Sequence, residues 1–360
     1  MFEDIFKDKV VLVTGHTGFK GSWLSIWLTQ LGAKVAGISE GEISNPSNFT
    51  ASRVPEVVSD YRFDIRDINK LKATIQELQP DFVFHLAAQA LVRPSYQDPL
   101  GTMMTNAMGS ANVLEALRDL DKEVVAIMIT SDKAYDNAEW VWGYRETDRL
   151  GGKDPYSASK GMAELVIRSY VESFFKQTDS NVRIGITRAG NVIGGGDWGV
   201  DRIIPDCVRA WSDGRVLNIR NPQATRPWQH VLEPLSGYLL LASDLTLHDI
   251  NHGEAYNFGP NSDQSHSVSS LIDEMAKSWC GGKWKDISEF NSQTQEARLL
   301  KLNCDKALGC LGWRPVLDFE QTVMMTADWY KNYYQDQNQS MYSFTTGQIE
   351  SYMQLFNQNI

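Results

Sequence analysis

The run KVVLVTGHTGFKG, Lys9 to Gly21, constrains the fold more than any other stretch of these 360 residues. Its first half is apolar and β-branched, its second half holds three glycines, and FKGSWLSIWLTQLG continues from it with helical character. A strand, a glycine turn and a helix in immediate succession open a βαβ unit. Glycine at positions 15, 18 and 21 lets the chain turn tightly and lets a pyrophosphate approach the N–H groups at the helix start. The spacing is G-x-x-G-x-x-G rather than the dinucleotide G-x-G-x-x-G, so the glycines point to nucleotide binding only through the strand before them and the helix after them.

The same texture recurs. KVAGIS follows the first helix, FDIRD closes a third strand, and DFVFHLAA (81–88), VVAIMITS (124–131) and VRIGITRAG (182–190) are β-rich runs. Helical stretches separate the later runs, one near Asn106 to Leu120 and one after Tyr156. Six strands alternating with helices predict an α/β fold with a Rossmann-like doubly wound parallel sheet. From about Gly194, glycine, tryptophan and proline become frequent, which predicts a smaller C-terminal α/β lobe for the substrate. The expected division is a dinucleotide-binding domain at 1–193 with return segments near 228–260, a second lobe at 194–345, and a mobile tail at 346–360.

A formal net charge of −11, with both signs mixed along the chain, argues against a nucleic-acid surface. MFEDIFKDKV lacks the apolar core of a secretory signal, and no run approaches the roughly 20 apolar residues of a membrane span. A cytoplasmic protein with no membrane contact is therefore expected. Cys207, Cys280, Cys304 and Cys310 lack metal-ligand spacing, which predicts free thiols in a reducing compartment and no metal site.

The acidic residue that would hold an adenosine ribose has no clean candidate. Ser39 and Glu40 end the second strand, and the absence of an arginine there favours NAD over NADP. Asp64 reads equally as an adenine contact or as a helix cap. In YSASK, Tyr156 and Lys160 stand four residues apart and share one face of a helix. A nearby cation favours the phenolate and lowers a tyrosine pKa from ~10 toward a working value.

Taken with GHTGFKGSWL, FHLAAQALVRPSYQDP, TSDKAYDN, PYSASK, RAGNVIGGGDW and ATRPWQHVLEPLSGYL, the chain resembles the extended short-chain dehydrogenase/reductase family over nearly its whole length, and within it the CDP-glucose 4,6-dehydratases. The resemblance implies a bound NAD that takes a hydride from C4 of the sugar and returns it to C6. The net reaction is then a redox-neutral loss of water, a step of deoxysugar biosynthesis of the O-antigen type. The implied cofactor site comprises Gly15, Thr17, Gly18, Phe19, Lys20 and Gly21 in the loop, Asp64 and Ile65 after the third strand, and Leu86, Ala87, Ala88 and Gln89 after the fourth, with Asn106 behind them. Tyr156 would be the base at the C4 hydroxyl, and Lys160 would hold the nicotinamide ribose and tune Tyr156. Arg202 and Arg226 fall where the family holds the diphosphate, and Asn191 would contact the same ligand. Arg93, Arg220 and Arg298 are further substrate candidates, while His230 reads equally as a contact or as a packed structural histidine. Recognition of cytosine rests on the resemblance alone.

ITSDKAYDN (129–137) sets Asp132 beside Lys133. Once C4 is a ketone, loss of the C6 hydroxyl needs a base at C5 and an acid at O6, and two adjacent side chains past a strand end provide both. The dTDP-glucose dehydratases carry Asp-Glu here, so their glutamate base does not transfer to Lys133. An acid at Asp132 must be protonated and a base at Lys133 neutral, against reference values of ~3.9 and ~10.4. A dry pocket favours that arrangement, and direct pairing of the two opposes it. Two roles stay open for Lys133, as the C5 base or as a cation stabilising the C4 enolate. Ser131 is placed to hydrogen-bond the sugar or Tyr156.

An epimerase would share the glycines, Tyr156 and Lys160, but has no need of an acid/base pair at C6. An idle NAD-binding sensor would have no need of the Tyr-Lys pair. The resemblance also implies a homo-oligomer, dimer or tetramer, in which the helices near 106–120 and after Tyr156 pair with a second copy in a four-helix face.

Overall fold

The computed structural model describes residues 2, 4–177, 180–261, 264–279, 282–288, 299–336 and 339–359. Strands β1 (Val10–Thr14), β2 (Lys34–Ser39), β3 (Ser59–Arg62), β4 (Phe82–His85), β5 (Val124–Ile129), β6 (Val182–Ala189) and β7 (Ala255–Phe258) form one sheet. Their order is β7-β6-β5-β4-β1-β2-β3, and every neighbouring pair is parallel. This is the doubly wound order, reversing between β1 and β4, with a seventh strand added beyond β6. That strand is AYNF, so the chain returns to the sheet after leaving it at Ala189.

Buried parallel strands have two dry faces, and the residues alternate between them. In β5, Val125, Ile127 and Ile129 join one core while Val124, Ala126 and Met128 join the other. The second core is closed by α2 (Ile68–Leu78), α3 (Gly109–Leu117) and α4 (Pro155–Tyr170). The first and larger core is closed by α1 (Phe19–Gln30), α5 (Leu232–Leu247), α6 (Phe319–Lys331) and α7 (Met341–Asn359). Each Val or Ile buried this way is worth roughly 1.5–3 kcal/mol relative to exposure.

The tail expected to be mobile at 346–360 is, through residue 359, the greater part of α7, and that expectation is corrected. The reason lies in α1, which is buried continuously from Gly21 to Leu28 and so has apolar surface on more than its sheet side. Helix α7 covers it, with Tyr352 edge-on to Trp27 at 5.8 Å and Phe2 stacked on Phe356 at 5.9 Å.

A buried carboxyl pins the same region. Glu233 of α5 accepts the N–H groups of Val316 at 2.9 Å and Leu317 at 2.7 Å, and the Tyr352 hydroxyl at 2.8 Å. Burial outweighs these three donors and raises its pKa from 4.5 to about 7. The native state therefore prefers the protonated form, and the stability this contributes is full below ~4.5 and lost as pH rises through about 7. Glu233→Gln is expected to flatten this dependence. Denaturant titrations at successive pH values between 5 and 8 should show the wild type losing up to about 3 kcal/mol relative to the variant.

Candidate active site

Between the end of β1 at Thr14 and the start of α1 at Phe19, the turn is made by Gly15 to Gly18. Gly15 has φ +76°, and a Cβ there would lie 2.8 Å from the Ala87 backbone nitrogen at the end of β4. A Cβ on Gly21 would come within 2.1 Å of the Gly15 carbonyl oxygen. Backbone passing this close to backbone leaves room for glycine only. No side chain caps α1 and no acidic residue stands in its first turn, which leaves its leading N–H groups to an anion. Thr17 fastens the loop to the end of β2, its Oγ1 lying 2.7 Å from Ser39 Oγ and donating to Gly41 O at 2.6 Å. The loop thus sits at the point where strand order reverses, and its cradle fits the pyrophosphate of the expected NAD.

The second wall follows β4. Leu86 N–H donates to Thr14 O at 3.0 Å and Ala87 N–H to Thr14 Oγ1 at 3.2 Å. Beyond Ala88, Gln89 N–H donates to Asn106 Oδ1 at 2.8 Å, and Asn106 Nδ2 donates to Gln89 O at 3.0 Å and to Ser159 Oγ of α4 at 2.8 Å. Asn106 therefore ties the cofactor wall to the helix that carries YSASK. Two expectations need adjustment. Asp64 is not a helix cap, because Asp67 caps α2 by accepting from Lys70 N–H at 3.1 Å. Asp64 instead holds Arg66, whose guanidinium keeps the carboxyl below its usual range. Ile65 points into the core against Gly109, which leaves only its backbone for a ligand.

Asp154 and Pro155 start α4, Asp154 accepting Ser157 N–H at 2.9 Å. Tyr156 and Lys160 are thereby placed one turn apart, and both are buried. Ser131 caps the short 3-10 turn Asp132–Ala134 by accepting Lys133 N–H at 3.2 Å, and donates to Asp132 Oδ1 at 3.0 Å. It also faces Tyr156 and favours its phenolate form. Burial pushes Tyr156 up to about 12, while Ser131 and the Arg202 guanidinium pull it down. Lys160 is itself lowered by burial to about 8, with Glu164 opposing the shift.

Asp132 is buried and Lys133 half-buried, and no ion pair joins them among the described residues. A Cβ on Gly190 would stand 2.0 Å from Asp132 Oδ2, so the glycine of RAGN makes room for this carboxylate. Lys20 also turns inward. Its Nζ lies 3.5 Å from Tyr238 Oη, and burial lowers it to about 8 against the pull of Asp132.

The arginines divide. Arg202 pairs with Asp197 at 2.7 Å and acts on Tyr156, whereas Arg93 pairs with Asp201 at 2.6 Å and Arg220 approaches the same carboxylate at 4.0 Å. Asn191 adopts φ 54° between β6 and the short strand that follows, and Arg226 donates to Thr225 O at 2.8 Å. His230 is a packed core side chain edge-on to Trp23 at 5.8 Å. Arg298 lies outside the described residues. Sequence reasoning missed Glu164 and Arg188, although Tyr156, Lys160 and Glu164 are spaced to share one helix face.

The chain is 45% identical over 332 residues to the CDP-glucose 4,6-dehydratase of Salmonella typhimurium, covering 91% of this chain and 92% of that protein. It is 25% identical over 337 residues to the dTDP-glucose 4,6-dehydratase of Xanthomonas campestris, covering 89% and 92%. Its fold matches the structure of dTDP-glucose 4,6-dehydratase from Bacillus anthracis in complex with NAD, with a TM-score of 0.74 and 20% identity over 94% of this chain and 99% of that one. The sequence model for GDP-mannose 4,6 dehydratase matches residues 12–326, and with the Salmonella relative it establishes that the chain belongs to that family of the extended short-chain dehydrogenases/reductases.

Proposed function

We propose that this chain is an NAD-dependent CDP-D-glucose 4,6-dehydratase acting in the cytoplasm, converting CDP-D-glucose to CDP-4-dehydro-6-deoxy-D-glucose. The observation that carries the reading is the 45% identity to a CDP-glucose 4,6-dehydratase, spread over nine-tenths of both chains. Held by the glycine cradle and the wall after β4, NAD would supply a hydride acceptor for C4 and a donor for C6. Tyr156, its phenol bonded to Ser131 and facing the Arg202 cation, takes the C4 hydroxyl proton. Lys160, one turn on, would hold the nicotinamide ribose. Asp132, buried and hydrogen-bonded by Ser131, delivers the proton that lets O6 leave as water. Lys133 takes the C5 proton, a role compatible with its freedom from an ion pair with Asp132. Arg202 and Arg226 receive the diphosphate, with Arg93 and Arg220 as further substrate contacts, because a guanidinium fork meets phosphate oxygens in pairs. Incubation with NAD and CDP-, dTDP- or GDP-hexose tests the reading. A 4-keto-6-deoxy product from CDP-glucose is expected, and an unchanged or epimerised hexose would overturn it.

Lys133→Met separates the two roles open to Lys133. As base, its loss should slow solvent hydrogen exchange at C5 and product formation together, by about 10²-fold. Undiminished exchange would rule Lys133 out as the base.

A homo-oligomer belongs to the same proposal. Tyr96, Leu100, Met104 and Met108 are exposed before α3, and Met162 and Leu165 are exposed on α4, Leu100 at 75% and Leu165 at 60%. These side chains flank the helices expected to pair with a second copy. A solution mass showing only a 40.6 kDa species would refute it.

A further inference from the structure

We propose that the buried Glu164–Arg188 pair is the positioning element of the reaction centre, holding the turn that bears Asp132 and Lys133 in register with the helix face that bears Tyr156 and Lys160. The inference rests on the roles given to those four residues above. Glu164 and Arg188 are both fully buried, and two hydrogen bonds join them, Nε to Oε1 at 2.7 Å and Nη2 to Oε2 at 2.9 Å. Buried pairs of this kind are often replaceable by apolar residues without loss of stability, so stability alone does not account for one here. Its position does. Thr130, just before the turn, donates Oγ1 to Glu164 Oε1 at 2.5 Å, and Tyr135, just after it, accepts Arg188 Nη1 at 2.6 Å. The guanidinium also lies 4.7 Å from the centre of the Tyr135 ring. Tyr135 Oη then donates to Asn257 Oδ1 of β7 at 2.8 Å. One ion pair therefore grips both ends of the turn from α4 and β6, and anchors it to β7.

Glu164 of this pair also acts on Lys160. The charged and titratable groups coupled to that ammonium are Lys20 on α1, His85 on β4 and Glu164 on α4. Glu164 is the one that raises it, against the lowering effect of burial. Lys20 and His85 feel Lys160 in turn, so a change at Glu164 reaches them as well.

The experiment uses the full chain with Glu164→Gln, Glu164→Asp, Thr130→Val and Tyr135→Phe. The ε-carbon resonance of isotope-labelled lysine, assigned with Lys160→Arg, follows titration of Lys160 in cofactor-free protein. Its midpoint is expected to fall by about one pH unit in Glu164→Gln and to be largely restored in Glu164→Asp. With CDP-glucose and NAD, kcat should fall at least ~10-fold in Glu164→Gln with KM within ~3-fold, and the alkaline limb of the rate profile should move to lower pH with the midpoint. Thr130→Val and Tyr135→Phe keep the pair and loosen one grip each, so kcat should fall about fivefold with the Lys160 midpoint unmoved. An unshifted midpoint in Glu164→Gln overturns the field. Should that variant not fold, unchanged kcat in both Thr130→Val and Tyr135→Phe overturns the positioning role. A shifted midpoint in a protein that leaves CDP-glucose untouched supports the proposal and condemns the substrate assignment instead.

Discussion

Replacing Tyr156 with phenylalanine is expected to lower kcat for CDP-glucose about 10³-fold while leaving folding intact. The ring fills the same buried volume, so packing is kept and only the hydroxyl is lost. That hydroxyl, faced by Ser131 and Arg202, is the group proposed to accept the C4 proton, and positioned general bases contribute 10²–10⁴-fold. Burial pushes the phenol up to about 12, and Ser131 and the Arg202 charge pull it back toward the phenolate. Product release followed by alkaline absorbance of the 4-ketone measures the loss. A decrease below tenfold would show that another group takes the proton.

Asp132→Asn should separate the two halves of the reaction. Oxidation at C4 depends on Tyr156 and the cofactor side, whereas departure of the C6 hydroxyl depends on a proton that asparagine cannot supply. Elimination is expected to slow 10²–10³-fold. Quenching with borodeuteride should then trap glucose labelled at C4, with little 6-deoxy sugar. Asparagine is the right replacement because it keeps an acceptor for Ser131 and matches the carboxylate in the space left by Gly190. Formation of 6-deoxy product at the wild-type rate would remove Asp132 from the chemistry.

Much of the site was legible in short-range spacing. The strand, glycine turn and helix at 9–30, and the four-residue interval from Tyr156 to Lys160, are local patterns whose geometry follows from the backbone. The pairings across the fold were not. Nothing in the chain order announces that Arg202 faces Tyr156, that Lys20 turns toward Asp132, or that Arg93 and Arg220 converge on Asp201. Each contact spans elements far apart in sequence, and the packing of the intervening core decides it. Ile65 illustrates the point, since a family motif places it at the cofactor while the approach of Gly109 turns its side chain inward.

By itself the sequence determined the sheet, the loop and the chemical parts, because alternation, glycine spacing and helix periodicity are properties of neighbouring residues. Only the tertiary structure decided how those parts bear on one another. It set AYNF beside β6 as the seventh strand and laid the last helix over Trp27, because α1 has apolar surface to cover beyond its sheet side. It also kept Asp132 and Lys133 from pairing, since a capped turn two residues past β5 buries the carboxylate beside Ser131 and leaves the lysine in a less buried position.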